Sequence, residues 1–432
     1  MMSARNRELF GLIPASLLVT AGFAAVFIQN SDELSNVSLT YGAIFLGLCI
    51  ATHIVLRFTL PHADPYLFPL FAVLASIGVV MLYRIDESLA RQQAQWFVVG
   101  LILFSITIIL LRHDYRVLER YRYTIAAVSI LLLFLPRLPI IGGQVNGAYL
   151  AINLGPISFQ PAEFGKIGIV IFLASYLRDT RLMLIEGGKK FLGIRLPPLK
   201  HLGPLLVVWG LAMLMLVFIG DLGSSLMFFG AFLALLYVAT SRWLFVVAGL
   251  GMFALGAWFF SNVVGRVQTR IDIWLDPFAK ERVQDEGFQI AQSLFAQADG
   301  GLLGKGFGES LVTLPSGANI IPFAETDLIY AVIVDELGLV GACGLLLVYL
   351  LIIERGFKIA LLAQDSFSKL LATGLTSVFA LQVFVIVGGV VRVIPLTGVT
   401  LPFVSYGGSS IMANFVLLAL LMLVSDRARR PT

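Results

Sequence analysis

The run Asp327–Ile353, DLIYAVIVDELGLVGACGLLLVYLLII, decides the fold class. It is longer than the roughly 20 apolar residues that carry a helix through a bilayer core about 30 Å thick. Its ionisable residues are Asp327 at the start and the pair Asp335 and Glu336. Charges within a span are costly and by default suggest function, so this run reads as a membrane helix with chemistry near its beginning. The whole chain agrees. Of its 432 residues 58% are hydrophobic and 13% charged, where a soluble domain has about a quarter charged, and the mean hydropathy is +0.92. Cys49 and Cys343 both lie in apolar runs, which argues against a disulfide framework or a thiolate metal site. His53, His62, His113 and His201 are scattered and form no ligand pair at helical spacing. The first ten residues are too short and polar for a cleavable signal, so the first apolar run is a retained span.

Eleven further runs extend the pattern, near 10–29, 41–60, 66–83, 95–112, 123–140, 163–178, 202–219, 224–240, 243–262, 371–395 and 408–425. The expected fold is therefore an all-α polytopic membrane protein with about twelve spans and no separate soluble domain. The run at 123–140 is the least regular, because Pro136 and Pro139 interrupt its end. Orientation follows from Lys and Arg in the loops, which concentrate on the cytoplasmic side. With a cytoplasmic amino terminus they divide twenty to eight in favour of that side. Both termini then face the cytoplasm, and the long loop 263–326 lies outside.

Polar residues in or beside spans define the candidate site. Glu163 and Lys166 stand three residues apart behind Pro161, on one helical face; they form either a functional pair or an ion pair that packs helices. Asp221 sits in a short turn before a span, where capping is the plain alternative. Glu325 precedes Asp327, and Glu336 follows it by nine residues, about two and a half turns. Asp327 and Glu336 therefore project to opposite sides of an ideal helix. Arg392 precedes Pro395 and a turn that runs through Ser405, Tyr406, Gly407, Gly408, Ser409 and Ser410. Its small residues could offer backbone N–H groups to an anion or simply allow close helix packing. Trp274, Phe278 and Phe288 resemble interfacial aromatics. The glycine-rich stretch Gly300–Gly308, with Lys305, follows no expected strand and is not a mononucleotide loop. A membrane enzyme acting on a lipid-linked substrate and a transporter both suit these features.

The order of the segments resembles the SEDS family of bacterial cell-wall proteins, the FtsW, RodA and SpoVE group. The matching segments are Phe159-Gln160-Pro161-Ala162-Glu163 with Lys166, Asp221-Leu222-Gly223-Ser224-Ser225, and Gln289-Ile290-Ala291-Gln292-Ser293-Leu294. They continue with Gly300-Gly301-Leu302 and Gly304-Lys305-Gly306, Thr326-Asp327 with Asp335-Glu336-Leu337-Gly338, and Pro402-Phe403-Val404-Ser405-Tyr406-Gly407-Gly408-Ser409. The resemblance implies a ten-span core, so residues 1–84 read as additional N-terminal helices and 85–432 as the catalytic core. It implies a peptidoglycan glycosyltransferase that polymerises lipid II and releases undecaprenyl diphosphate. It also implies Asp327 as the catalytic carboxylate, with Glu163, Lys166 and Asp221 in a polar cavity network. Candidates to neutralise the diphosphate leaving group are a divalent cation such as Mg or Mn, Lys166, Lys305, Arg392 and the turn from Gly407 to Ser410, with Ser405, Gly407, Gly408 and Ser409 as substrate-binding or cavity residues. Asp276, Glu325 and Glu336 are secondary candidates.

The chain departs from the family pattern in three places, one of them a longer stretch between Trp274-Leu275-Asp276-Pro277-Phe278 and Gly287. Pro322-Phe323-Ala324-Glu325 stands where many members read Pro-Glu-x-His, and an Arg common near Ala148-Tyr149 is missing. The expected partners are lipid II, membrane lipid and a class B penicillin-binding protein that supplies cross-linking; nucleic acid is not expected. The Pro395-Leu396-Thr397-Gly398 turn and the added helices look more like elongation-type than division-type members. A lipid II flippase is the main alternative, and a recruiting scaffold with vestigial chemistry is a third reading.

Overall fold

The computed structural model of the protein describes residues 3–31, 36–138, 142–145, 148–154, 157–186, 190–191, 194–195, 222–263, 265–280, 282–312 and 320–430, with isolated positions between 203 and 214. In chain order come α1 (Ala4–Ser31), α2 (Asn36–Thr59), α3 (Leu67–Ile85), α4 (Glu87–Leu111), α5 (Val117–Arg120) and α6 (Arg122–Phe134). Strands β1 (Gly142–Val145), β2 (Ala148–Leu154) and β3 (Ile157–Phe159) follow, then α7 (Ala162–Glu186) and the short strands β4 (Lys190–Phe191) and β5 (Ile194–Arg195). Next are α8 (Leu222–Thr240), α9 (Trp243–Val263), α10 (Gly265–Leu275), α11 (Phe288–Gly300), α12 (Ile329–Leu362), α13 (Ser366–Val390) and α14 (Gly408–Ala428).

Among the described residues eight helices are long and apolar enough to cross a membrane: α1 to α4, α8, α12, α13 and α14. These account for eight of the expected runs. The run at 123–140 makes only the 13-residue α6 before a 3-10 turn at Leu135–Arg137, where Pro136 cannot donate to a continuing helix. The run at 163–178 extends into the 25-residue α7, which carries Glu163, Lys166, Arg178 and Asp179. The run at 243–262 forms α9, and the run at 202–219 lies largely outside the described residues.

The chain forms two compact units. The first comprises 1–112, 269–355 and 382–432. In it α14 packs along α4, and α1 against α2 and α3. Phe415 is the hub of that packing: its ring meets Phe97, Phe104 and Phe403 edge-on, and the bare Cα of Gly100 lies against it. Asp86 stops α3 and starts α4. Its N–H bonds to Leu82 O at 2.8 Å, while its carboxylate accepts from the N–H groups of Ser88 (2.7 Å) and Leu89 (3.3 Å), as an N-cap should. At the other end of these helices buried Glu8 pairs with Arg5 and, at 2.6 Å, with His53 Nδ1. Asp64 takes Arg355 and Arg429. Charged contacts thus join α1 to α2, and the segment before α3 to α12 and to Arg429, alongside the apolar contacts.

The second unit comprises 113–268 and 356–381. Here α7 packs on α6 and α8, and α9 on α8. The bare Cα of Gly374 lets α13 approach Val170 and Leu235. The strands β1, β2 and β3 form an antiparallel sheet in sequence order, with an irregularity between Gly143 and Gln144.

Helix α12 is broken at Gly338 (φ 65°, ψ −172°), a conformation that glycine adopts without strain. From Leu339 onward the helix is about 36 Å long, sufficient by itself to cross a bilayer core. The shorter piece before the break carries Asp335 and Glu336.

Candidate active site

Asp327 lies two residues ahead of α12, at the end of a turn set by Phe323. Phe323 has φ 55°, and its carbonyl accepts from the N–H groups of Thr326 (3.1 Å) and Leu328 (3.2 Å). Positive φ at a bulky residue costs energy and persists only where its surroundings enforce it. Those surroundings come from the segment before α14. Ser405 Oγ donates to Thr326 O at 2.6 Å and accepts from Leu401 N at 2.8 Å. Tyr406 N donates to Glu325 O at 2.8 Å. One buried amide then secures this turn: Gln93 donates to Ser405 O (2.9 Å) and accepts from Gly407 N (3.2 Å). Tyr406 O–H donates to Gln92 at 2.6 Å, and Trp96 lies flat against the missing side chain of Gly408. Gly78 lets the backbone at Phe403 and Val404 approach α3. The Ser-Tyr-Gly-Gly motif is therefore a cradle for the residues just before Asp327.

Arg270, on α10, closes the opposite side. Its Nη1 donates to Thr397 O (3.1 Å) and Leu396 O (3.3 Å). Gly398, at φ +74°, lies beside both Arg270 and Asp327. A Cβ there would lie 3.5 Å from Asp327 Oδ2 and 3.9 Å from Arg270 Nη2. Desolvation lifts the Asp327 carboxyl to about 7, against the pull of the Arg270 guanidinium, and the Glu325 carboxylate adds to the rise. A carboxylate titrating near neutrality has the basicity that general-base work at that pH requires.

The other expected site residues fall into separate places. Lys305 and Glu336 belong to a clamp. Arg84 Nε lies 2.8 Å from Glu336 Oε1, and Arg84 Nη2 donates to Gly308 O at 2.7 Å. Ser310 Oγ donates to Asp335 at 2.6 Å, while Lys305 Nζ pairs with Asp299 (2.9 Å) and Asp335 (3.4 Å). The bond to Asp299 helps push the Lys305 ammonium pKa up. The glycines bring backbone against backbone. Lys305 N bonds to Asp335 O, Gly306 N to Glu336 O, Leu339 N to Gly301 O and Val340 N to Leu302 O, at 2.9 to 3.2 Å. A Cβ at Gly304 would strike Glu336 and Gly338.

Arg392, with φ 60°, donates from Nε to Trp274 O at 2.7 Å and from Nη2 to Leu275 O. Trp274 Nε1 returns a bond to Arg392 O at 3.1 Å. Arg392 thus fixes the end of α10, the helix that carries Arg270. Asp276, just beyond α10, is exposed. Ser409 is buried in the first turn of α14. Glu163 and Lys166 form a buried pair at 2.7 Å on α7, in the second unit. Asp221 lies outside the described residues.

Sequence reading missed Arg270, Gln93, Arg84 and Gly398 as site residues. A signal existed for Arg270, since it precedes Trp274 by four residues on a strongly amphipathic short helix. Among the described residues no three His, Cys, Asp or Glu side chains converge to hold a metal ion.

Together the fold and site define a polytopic α-helical membrane protein with a near-neutral carboxylate held at the mouth of a span. The model of the FtsW/RodA/SpoVE family, described as cell cycle protein, matches residues 64–430, and the chain belongs to that family. It is similar to the peptidoglycan glycosyltransferase RodA of Mycobacterium bovis, 40% identical over 441 residues, covering 99% of this chain and 92% of the relative. FtsW of Geobacter sulfurreducens, named a probable peptidoglycan glycosyltransferase, is 33% identical over 368 residues, covering 82% of this chain and 93% of the relative. Among solved structures, a chain from work on the structural coordination of polymerization and crosslinking by a peptidoglycan synthase complex has a TM-score of 0.68 at 27% identity, covering 85% of this chain and 99% of that one. A mutant of the rod shape determining protein RodA of Thermus thermophilus has a TM-score of 0.61 at 26% identity, covering 86% of this chain and 99% of that one.

Proposed function

We infer that this chain is a peptidoglycan glycosyltransferase of the bacterial membrane that polymerises lipid II. The observation that carries the mechanism is the cradle around Asp327, which holds a carboxylate titrating near 7 where a span begins. In the proposed reaction an acceptor sugar hydroxyl attacks the anomeric carbon of the donor. The new glycosidic bond forms as the bond to the diphosphate breaks, and undecaprenyl diphosphate leaves with the electron pair. Asp327 takes the hydroxyl proton.

Sidedness supports this reading. The division of loop charges supports both termini in the cytoplasm, an orientation in which Asp327 would lie at the outer face of the cytoplasmic membrane. Likeness to RodA proteins supports work in elongation and cell shape. Likeness to a chain of a peptidoglycan synthase complex supports a class B penicillin-binding protein as the cross-linking partner. A divalent cation would travel with the diphosphate rather than in a cage of this chain's residues. Purified full-length protein, given lipid II and a class B partner, should yield glycan polymer on a gel. Lipid II movement across vesicles with no polymer formed would overturn the assignment in favour of a flippase.

A further inference from the structure

Arg270 and Asp327 approach one position, the Cα of Gly398, from different elements. Arg270 is rooted on α10 and spends Nη1 on two carbonyls of the turn before Gly398. Asp327 is rooted on the turn before α12. Among the described residues, the charged groups that act on Asp327 are Arg270 from α10 and Glu325 from its own segment. The turn between them contributes only Leu396, Thr397 and Gly398, none of which ionises. We propose that Arg270 is a positioning residue for Asp327: it fixes the Leu396–Gly398 turn beside the carboxylate and sets the charge state in which that carboxylate meets the acceptor hydroxyl.

The physical argument is one of opposing fields. Burial disfavours a charged carboxylate, and Glu325 adds repulsion, so the side chain alone would be protonated well above its usual range. A guanidinium held beside the same glycine offsets both effects. A residue larger than Gly398 would need positive φ and would place its Cβ in contact with both groups. Nη1 is bound to carbonyls, and the two side chains border the same small space, so the carboxylate can still receive a proton. Arginine suits this task because it stays charged at any working pH and its planar fork can hold carbonyls while presenting a second edge.

The inference rests on the reading of Asp327 as the base, and the experiment separates the two. The full-length protein with its class B partner is assayed on lipid II, and kcat/KM is followed from pH 5 to pH 9 for wild type, Arg270→Gln, Arg270→Lys, Glu325→Gln and Asp327→Asn. Since Arg270 lowers the Asp327 pKa, its removal should move the acid limb of the profile to higher pH by about one unit, with loss of rate at pH 7. Arg270→Lys should return the limb toward wild type, whatever rate it loses through the carbonyl bonds. Glu325→Gln should move the limb the other way. An unmoved limb in Arg270→Gln, with rate lost equally at all pH values, leaves Arg270 a purely structural anchor and overturns the proposal. Should Arg270→Gln fail to fold, Arg270→Lys decides: a limb displaced upward by a full unit despite the retained charge overturns it. Activity in Asp327→Asn, or an unmoved limb in Glu325→Gln, refutes the base assignment itself.

Discussion

Ser405 Oγ donates to the carbonyl of Thr326 at 2.6 Å, so the turn leading into α14 grips the residue immediately before Asp327. Replacing Ser405 with Ala would leave that carbonyl and the Leu401 N–H without their partner. The expected cost is about 1–3 kcal/mol of stability. Polymerisation should fall further than stability explains, since misplacement by about 1 Å can cost a hundredfold in rate. Thermal unfolding and polymer yield, measured on the same preparation, check this. A variant of normal rate would show that Thr326 needs no such anchor.

Asp327→Asn keeps the shape of the side chain and removes the base. Polymerisation should drop by roughly 10²–10⁴-fold while the protein still folds and binds lipid II. In the wild type the carboxylate is the working form. Activity should therefore be full above the Asp327 pKa of about 7 and decline as pH falls through it. A profile flat from pH 5 to pH 8 would count against Asp327 as the group that titrates.

Arg84→Ala leaves Glu336 buried without its cation. Breaking a buried pair in this way costs about 3–5 kcal/mol, so a large drop in unfolding temperature is expected. Lys305→Ala should cost less than Arg84→Ala, because its pair with Asp299 is exposed and gains little in water, while buried Asp335 keeps its bond from Ser310. If Lys305→Ala instead abolished polymerisation at unchanged stability, Lys305 would be a diphosphate ligand rather than part of the loop clamp.

Glu163 and Lys166 offer a contrast within the second unit. Lys166→Ala should destabilise by about 3–5 kcal/mol by stranding Glu163. The exchanged double variant, Glu163→Lys with Lys166→Glu, should recover much of that stability. Recovered stability without recovered polymerisation would mark the pair as part of the chemistry. Recovery of both would mark it as packing.

Long apolar runs were legible because hydropathy accumulates along the chain, and eight of them appear as helices able to cross a membrane. Asp327 was legible through its short motif and its place at the start of a span. Less visible were roles that depend on partners distant in sequence. Lys305 reads as an anion ligand until its backbone bond to Asp335 and its pairs with Asp299 and Asp335 are known. Ser405 and Gly407 read the same way until Gln93, more than three hundred residues earlier, is seen to hold them. Arg270 entered only as a positive charge on one side of the membrane. The sheet at 142–159 was missed because its strands are short, although Leu150, Ile152 and Leu154 alternate as a half-buried strand would.

The break at Gly338 also has a kinetic meaning. Four backbone bonds join residues 301–306 to 335–340 across that break. Once made, they tie together both ends of the segment that carries Asp327. A segment with tethered ends has far fewer conformations to search than a free tail. Those four bonds thus shorten the search for the turn that holds Asp327, which a chain lacking them would have to fix from a freely hinged loop.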